Sequence, residues 1–190
     1  MIVAWSAGTS PSAGRRRVLA VEGRSGSGKT TLARDVAARL HAPLLHMDDL
    51  YAGWDGLDRG VRALHDWVLR PLAEDRPAVW QRWDWAAGRY CGNHPVPAAD
   101  WLVVEGVGSG ARLLRPYLCG IVWLEAPAAV RKRRALARDG AAYAPHWSRW
   151  ARHEDAFYAA ERVRENATLV IGTGDRGDAG DRPEAFDRGR

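Results

Sequence analysis

Short apolar runs alternate along this chain with segments of helical spacing. Val18-Leu19-Ala20-Val21, Pro43-Leu44-Leu45-His46-Met47, Trp101-Leu102-Val103-Val104, Ile121-Val122-Trp123-Leu124 and Thr168-Leu169-Val170-Ile171 are largely apolar and of strand length. They lack the alternation of a half-exposed sheet. Between them, residues 29–40 place Leu32, Val36, Ala37 and Leu40 on one helical face. Residues 58–72 do the same with Val61, Leu64, Val68 and Leu72. Residues 126–138 and 146–164 also read as helices, the first with Pro127 in its opening turn, where proline is tolerated. Strands apolar on both faces need cover on both faces, so the pattern predicts an α/β fold with a parallel sheet between helical layers. Each crossover is expected to be right-handed.

The ends break the pattern. Residues 1–16 are small and polar with little periodicity and predict a flexible arm. Residues 173–190 are rich in Gly, Asp and Arg and predict a disordered tail. The folded domain is expected over 17–172. A chain of 190 residues fits one such domain, with 46% hydrophobic and 27% charged residues. No apolar run approaches the roughly 20 residues that span a bilayer. The basic cluster Arg15-Arg16-Arg17 follows the N-terminal segment, the wrong order for a secretory signal. Cys91 and Cys119 are far apart and have no metal-binding spacing. Two reduced thiols and a cytoplasmic location are the expectation.

The segment Gly23-Arg24-Ser25-Gly26-Ser27-Gly28-Lys29-Thr30 fits G-x-x-x-x-G-K-[ST] throughout. It lies between a predicted strand and a predicted helix, as a P-loop must. Glycines let backbone N–H groups converge on phosphate oxygens, and the helix N-terminus adds its positive end. Gly23, Ser25, Gly26, Ser27, Gly28, Lys29, Thr30 and Thr31 are therefore the expected nucleotide-binding residues, with Lys29 on the β/γ-phosphates and the Thr30 hydroxyl on Mg²⁺. The sheet becomes the core of a P-loop NTPase, a three-layer α/β/α sandwich with five mainly parallel strands. Neither Asn-Lys-x-Asp nor Leu-Ser-Gly-Gly-Gln occurs, which argues against GTPases and transporters.

The second strand runs into Asp48-Asp49-Leu50-Tyr51. Ligands of parallel sheets sit outside the C-terminal strand ends, so these carboxylates are expected beside the cradle. Asp48 suits a base that orients an attacking hydroxyl. Asp49 suits Mg²⁺ or a turn cap. Glu105 ends a buried strand, where an ionised carboxylate needs a cation or donors. Arg131, Arg134 and Arg138 share a helical face in a segment with five basic residues. That cluster accounts for part of the net charge of +5 without invoking nucleic acid. Four of the ten tryptophans, Trp54, Trp80, Trp83 and Trp85, flank the expected acceptor region. Aromatic faces there can take a base or sugar, or fill a core.

These motifs, in order, resemble the uridine kinase and phosphoribulokinase family of P-loop kinases over roughly residues 18–174. The family's Asp-x-Phe-Tyr is similar to Asp48-Asp49-Leu50-Tyr51, its Tyr-Asp-Phe to Trp83-Asp84-Trp85, and its Val-Pro-Pro-Ala-Asp to Val96-Pro97-Ala98-Ala99-Asp100. An apolar strand and Glu105-Gly106 follow. The resemblance implies Asp48 as catalytic base, Asp84 on the acceptor hydroxyls and Glu105 near Mg²⁺. It also implies a short helical lid whose Arg131, Arg134 and Arg138 neutralise the transferring group. Tyr51, Trp83, Trp85 and Arg89 complete the expected acceptor site. Family uridine kinases carry a base-reading histidine soon after Tyr-Asp-Phe, whereas here the nearest is His94.

The expectation is ATP- and Mg²⁺-dependent phosphoryl transfer to a hydroxyl of a small metabolite, first a nucleoside or nucleoside-like compound. A nucleoside monophosphate comes second and a sugar or antibiotic third. The alternative of another class is a nucleotide-dependent switch with no small-molecule acceptor, which would not need both Asp48 and Asp84. No membrane partner is expected, and the sequence leaves the oligomeric state open.

Overall fold

The structure is a computed structural model that describes residues 8–174. Five strands form one parallel sheet in the order β2-β5-β1-β6-β7. They are β1 (Arg17–Gly23), β2 (Leu44–His46), β5 (Trp101–Glu105), β6 (Gly120–Glu125) and β7 (Leu169–Gly172). All five expected strands are present. β1 lies at the centre, with Leu19 beside Val103 on one flank and Ala20 beside Ile121 on the other.

The two sheet faces carry separate cores. Leu19, Val21, Val103, Val122 and Leu124 pack with Ala33, Val36 and Ala37 of α1 (Lys29–Arg39). Val18, Ala20, Leu102, Val104 and Trp123 point the other way. They meet α2 (Leu57–Leu64), α3 (Arg70–Ala73) and the inner face of α5 (Trp147–Glu161). Alternate residues of each strand therefore bury on opposite sides, which is why the strands read as continuously apolar.

The helix expected over 58–72 is interrupted. A π turn, His65–Leu69, separates α2 from α3. Pro71 accounts for this: it lacks an N–H and its ring crowds the carbonyl four residues back. α4 (Ala128–Tyr143) runs past the expected end at 138 but is kinked at Gly140, with φ 54° and ψ −136°. An antiparallel hairpin, β3 (Val79–Asp84) with β4 (Arg89–Pro95), forms a second small sheet beside the acceptor side. It has no counterpart among the sequence-predicted elements, because its strands are mostly exposed and lack an apolar run.

The N-terminal arm needs correction where it is described. Ala13 is fully buried, the Ser12 hydroxyl accepts from the Val18 N–H, and Arg17 donates to the Thr9 carbonyl. Residues 9–16 thus pack on the domain, while 1–7 lie outside the described residues. At the other end, Thr173 donates its hydroxyl to the Ser27 carbonyl at 2.6 Å, which ties the start of the expected tail to the P-loop. Residues 175–190 lie outside the described residues. Cys91 and Cys119 are free thiols. No described helix is long and apolar enough to cross a membrane.

Candidate active site

Register decides which carboxylates meet the phosphate cradle. Glu105 ends β5 and stands level with Val21 of β1 and with His46 of β2. The P-loop leaves β1 at Gly23, and Asp48 follows β2 in a short 3-10 turn, Met47–Asp49. The C-terminal ends of three adjacent strands thereby converge. Gly106, at φ 129°, is required there: a Cβ would sit 2.6 Å from the Met47 Cβ.

Lys29 is buried, and its ammonium donates to the Arg24 carbonyl at 3.2 Å, which folds the loop around it. Thr30 donates its hydroxyl to Glu105 Oε1 at 3.1 Å. His46 Nδ1 lies 2.6 Å from the same oxygen. The pair is ionic. Glu105 holds His46 above the usual histidine range. Burial alone would push Glu105 up, but the His46 hydrogen bond and the Lys29 charge outweigh it and hold Glu105 below the usual carboxylate range. Thr30 and Glu105 offer hard oxygen donors to a cation that completes its shell with water and phosphate, as Mg²⁺ does. Among the described residues, no three His, Cys, Asp or Glu side chains cluster to hold a metal alone.

Asp48 is exposed to solvent in the turn after β2, near enough to Lys29, Glu105 and Arg138 for their charges to act on its carboxyl. Burial, then the Glu105 charge, raises it above the usual aspartate range. Lys29 and Arg138 act in the opposite direction. The Trp85 indole N–H donates to the Asp48 carbonyl at 3.3 Å, and Trp54 lies 5.0 Å from Trp85. Arg138 is chelated by Asp139 through two hydrogen bonds of 2.8 and 2.7 Å. Arg131 donates to the Ser25 carbonyl at 3.3 Å, at the P-loop itself. Arg134 lies one turn along α4, half-buried. Thr31 is exposed on the first turn of α1.

Several of the expected acceptor and metal-side residues have other partners. Tyr51 is 2% exposed, packs on Trp150 and donates to the Val107 carbonyl at 2.6 Å, so it belongs to the core and not to an acceptor surface. Asp84 caps the hairpin turn, accepting from the Ala86 and Ala87 N–H groups at 2.9 and 2.8 Å. Those bonds hold its carboxyl below the usual range. Asp49 pairs with Arg82 at 3.0 Å, which makes it an anchor for the hairpin in place of a free metal ligand. Trp83 stands edge-on to Tyr90, and Arg89 is exposed opposite Asp84. Trp54 and Trp80 pack against the core, the bland reading of the tryptophan cluster.

Sequence reasoning missed Glu22, Glu154, Trp150 and His46 around the loop. Glu22 is fully buried and accepts from the N–H groups of Gly23, Gly108 and Gly110 and from the Tyr158 hydroxyl at 2.7 Å. Burial pushes its carboxyl up to about 7 against those donors. Glu154 accepts from the Ser25 N–H at 2.8 Å, and Trp150 donates to the Ser25 hydroxyl at 3.0 Å. His46 is the fourth. A charge inside the apolar run before the P-loop was the available signal for Glu22. The α5 residues gave none.

No protein-family model matches the chain. It is 34% identical over 123 residues to a cytidylate kinase of Pyrobaculum arsenaticum, covering 65% of this chain and 61% of that protein. A cytidylate kinase of Pyrobaculum aerophilum is 33% identical over 124 residues, with 65% and 61% covered. The chain thus spans about three fifths of the length of the curated relatives it matches. Among solved structures it is similar to a possible uridine kinase from Bacillus stearothermophilus. The TM-score is 0.64 at 22% identity, over 90% of this chain and 95% of that one. With its strand order, its P-loop after the central strand and this likeness, the chain has the three-layer α/β fold of the P-loop kinases.

Proposed function

We propose that the chain is an ATP-dependent kinase that phosphorylates a hydroxyl of a small, nucleoside-like acceptor. The observation that carries the reading is the position of Asp48: a solvent-reachable carboxylate in the turn after β2, near Lys29, Glu105 and Arg138, at the strand ends where the P-loop begins. A carboxylate tuned upward is a better hydroxyl base near neutral pH than an ordinary aspartate. The loop N–H groups and Lys29 bind the donor phosphates. Mg²⁺, held from Thr30 and Glu105, would supply charge neutralisation on the phosphate oxygens. Arg131 and Arg138, on one face of α4, complement the same charge. The exposed Trp85 beside Trp54 offers an aromatic wall next to Asp48.

The curated relatives favour a second reading, in which the acceptor is a nucleoside monophosphate. Phosphate then attacks phosphate, and no hydroxyl base is needed. One experiment separates the two. Purified protein is assayed with ATP and Mg²⁺ against nucleosides and their monophosphates, cytidine and CMP included, alongside Asp48→Asn. Under the first reading a nucleoside-type acceptor is consumed, and Asp48→Asn lowers kcat by roughly a hundredfold or more while ATP affinity holds. Turnover of CMP at an undiminished rate in Asp48→Asn establishes the second reading. ATP hydrolysis that no acceptor stimulates removes both.

A further inference from the structure

Glu154 is the least expected group at the cradle. It lies on α5 and is 1% exposed. Its Oε1 accepts from the Ser25 N–H at 2.8 Å, and its Oε2 lies 3.9 Å from guanidinium nitrogens of both Arg24 and Arg131. One backbone N–H of a P-loop and two guanidiniums make an anion site, and the Glu154 carboxylate fills it, while Arg24 makes its closer ion pair, at 2.5 Å, with the exposed Asp155 next to it. Trp150, one turn earlier on α5, fixes the same residue through the Ser25 hydroxyl. Arg131 closes the arrangement from α4. Its carbonyl approaches Gly26 so nearly that a Cβ there would lie 2.1 Å away.

We propose that Glu154 is a placeholder for the donor's terminal phosphate, occupying the Ser25–Arg24–Arg131 anion site until a nucleoside triphosphate displaces it. The inference rests on the nucleotide-binding half of the proposed function and not on the acceptor. A terminal phosphate and an ionised carboxylate cannot share that site, because two like charges in contact repel strongly. Triphosphate binding therefore moves Glu154 off Ser25. The kink at Gly140, whose Cβ direction meets no atom within 4 Å, lies between the α4 arginines and α5 and gives that segment a point of bending. A nucleoside diphosphate, which lacks the third phosphate, leaves the contact in place. Glu154 in this way lowers affinity for triphosphate selectively and couples donor entry to displacement of α5.

The test measures binding of AMP-PNP and of ADP, each with Mg²⁺, to the full chain by calorimetry. Glu154→Gln removes the charge while keeping an acceptor for Ser25. Glu154→Asp keeps the charge but shortens the reach, so it serves if the first variant does not fold. Both variants should bind AMP-PNP at least about tenfold more tightly than the unsubstituted protein, with ADP affinity changed less than about threefold. A purely bracing role predicts weaker binding of both nucleotides, and that result overturns the inference. So does unchanged AMP-PNP affinity. If the unsubstituted protein and both variants bind neither nucleotide, the proposed function falls together with the inference. A Glu154 effect without acceptor turnover upholds the inference while the kinase reading fails.

Discussion

Glu22 shows what one side chain does when burial and hydrogen bonding compete. Three backbone N–H groups and the Tyr158 hydroxyl favour its ionised form, yet complete burial pushes the carboxyl up from 4.5 to about 7. The folded state then holds a proton that the unfolded chain releases at lower pH. Stability attributable to this group is fully present below about 4.5 and falls as pH rises toward 7, by about 3 kcal/mol in total. Glu22→Gln cannot titrate. In urea unfolding from pH 4.5 to 7.5, the stability difference between the two proteins should change with pH in that direction. A constant difference would show that Glu22 titrates alike in the folded and unfolded states. Asp48 belongs at the same scale: its upward shift makes the substitution in the kinase assay informative, because the rate should drop without loss of the cradle.

The P-loop and α4 form a pair of elements rather than two neighbours. Gly26 and Gly28 both have positive φ, 80° and 95°, but only Gly26 faces another element, the Arg131 carbonyl. Gly28→Ala should cost the free protein about 1 kcal/mol, from backbone strain alone. Gly26→Ala must also push α4 away and should cost about 2 kcal/mol or more. Thermal unfolding of the two ligand-free variants decides it; equal losses would mean that α4 does not rest on the loop. The hairpin β3–β4 is tied to the acceptor loop in a similar way. Arg82 pairs with Asp49, the Tyr90 hydroxyl donates to the Leu50 carbonyl, and Trp85 reaches the Asp48 carbonyl. The surface beside Asp48 is thus shaped by an element whose sequence carries no apolar periodicity.

For the molecule as a whole, the site lies where three strand ends, α1, α4 and α5 meet, so a ligand there bridges several elements. Ligand bound only by the folded state stabilises by about 2.7 kcal/mol at a hundredfold excess over Kd. For a domain of this size that raises Tm by about 5–10 °C. Mg²⁺ with AMP-PNP should produce that shift in differential scanning fluorimetry. No shift at millimolar nucleotide would argue against an assembled cradle.

The expected site residues that the structure brings together share a property. Gly23–Thr30, Asp48 and Glu105 each follow a strand that its own apolar run announces, and a parallel sheet brings its C-terminal strand ends together. Local pattern plus that rule was enough to bring the Gly23–Thr30 loop, Asp48 and Glu105 into one place. At Tyr51, Asp84 and Asp49, motif position is silent about partners. Val107, the Ala86–Ala87 turn and Arg82 claim them first. Glu154 and Tyr158 lie 129 and 136 residues from their partners in and before the loop, and Thr173 lies 146 residues from Ser27. Contacts at such separation depend on how α4, α5 and β7 close over the sheet, which no local periodicity encodes. The sequence by itself determined the sheet, the phosphate loop and the carboxylates that face it. Only the tertiary structure decided that a buried glutamate stands in the cradle, and that Tyr51, Asp84 and Asp49 are divided between a core, a turn and an ion pair.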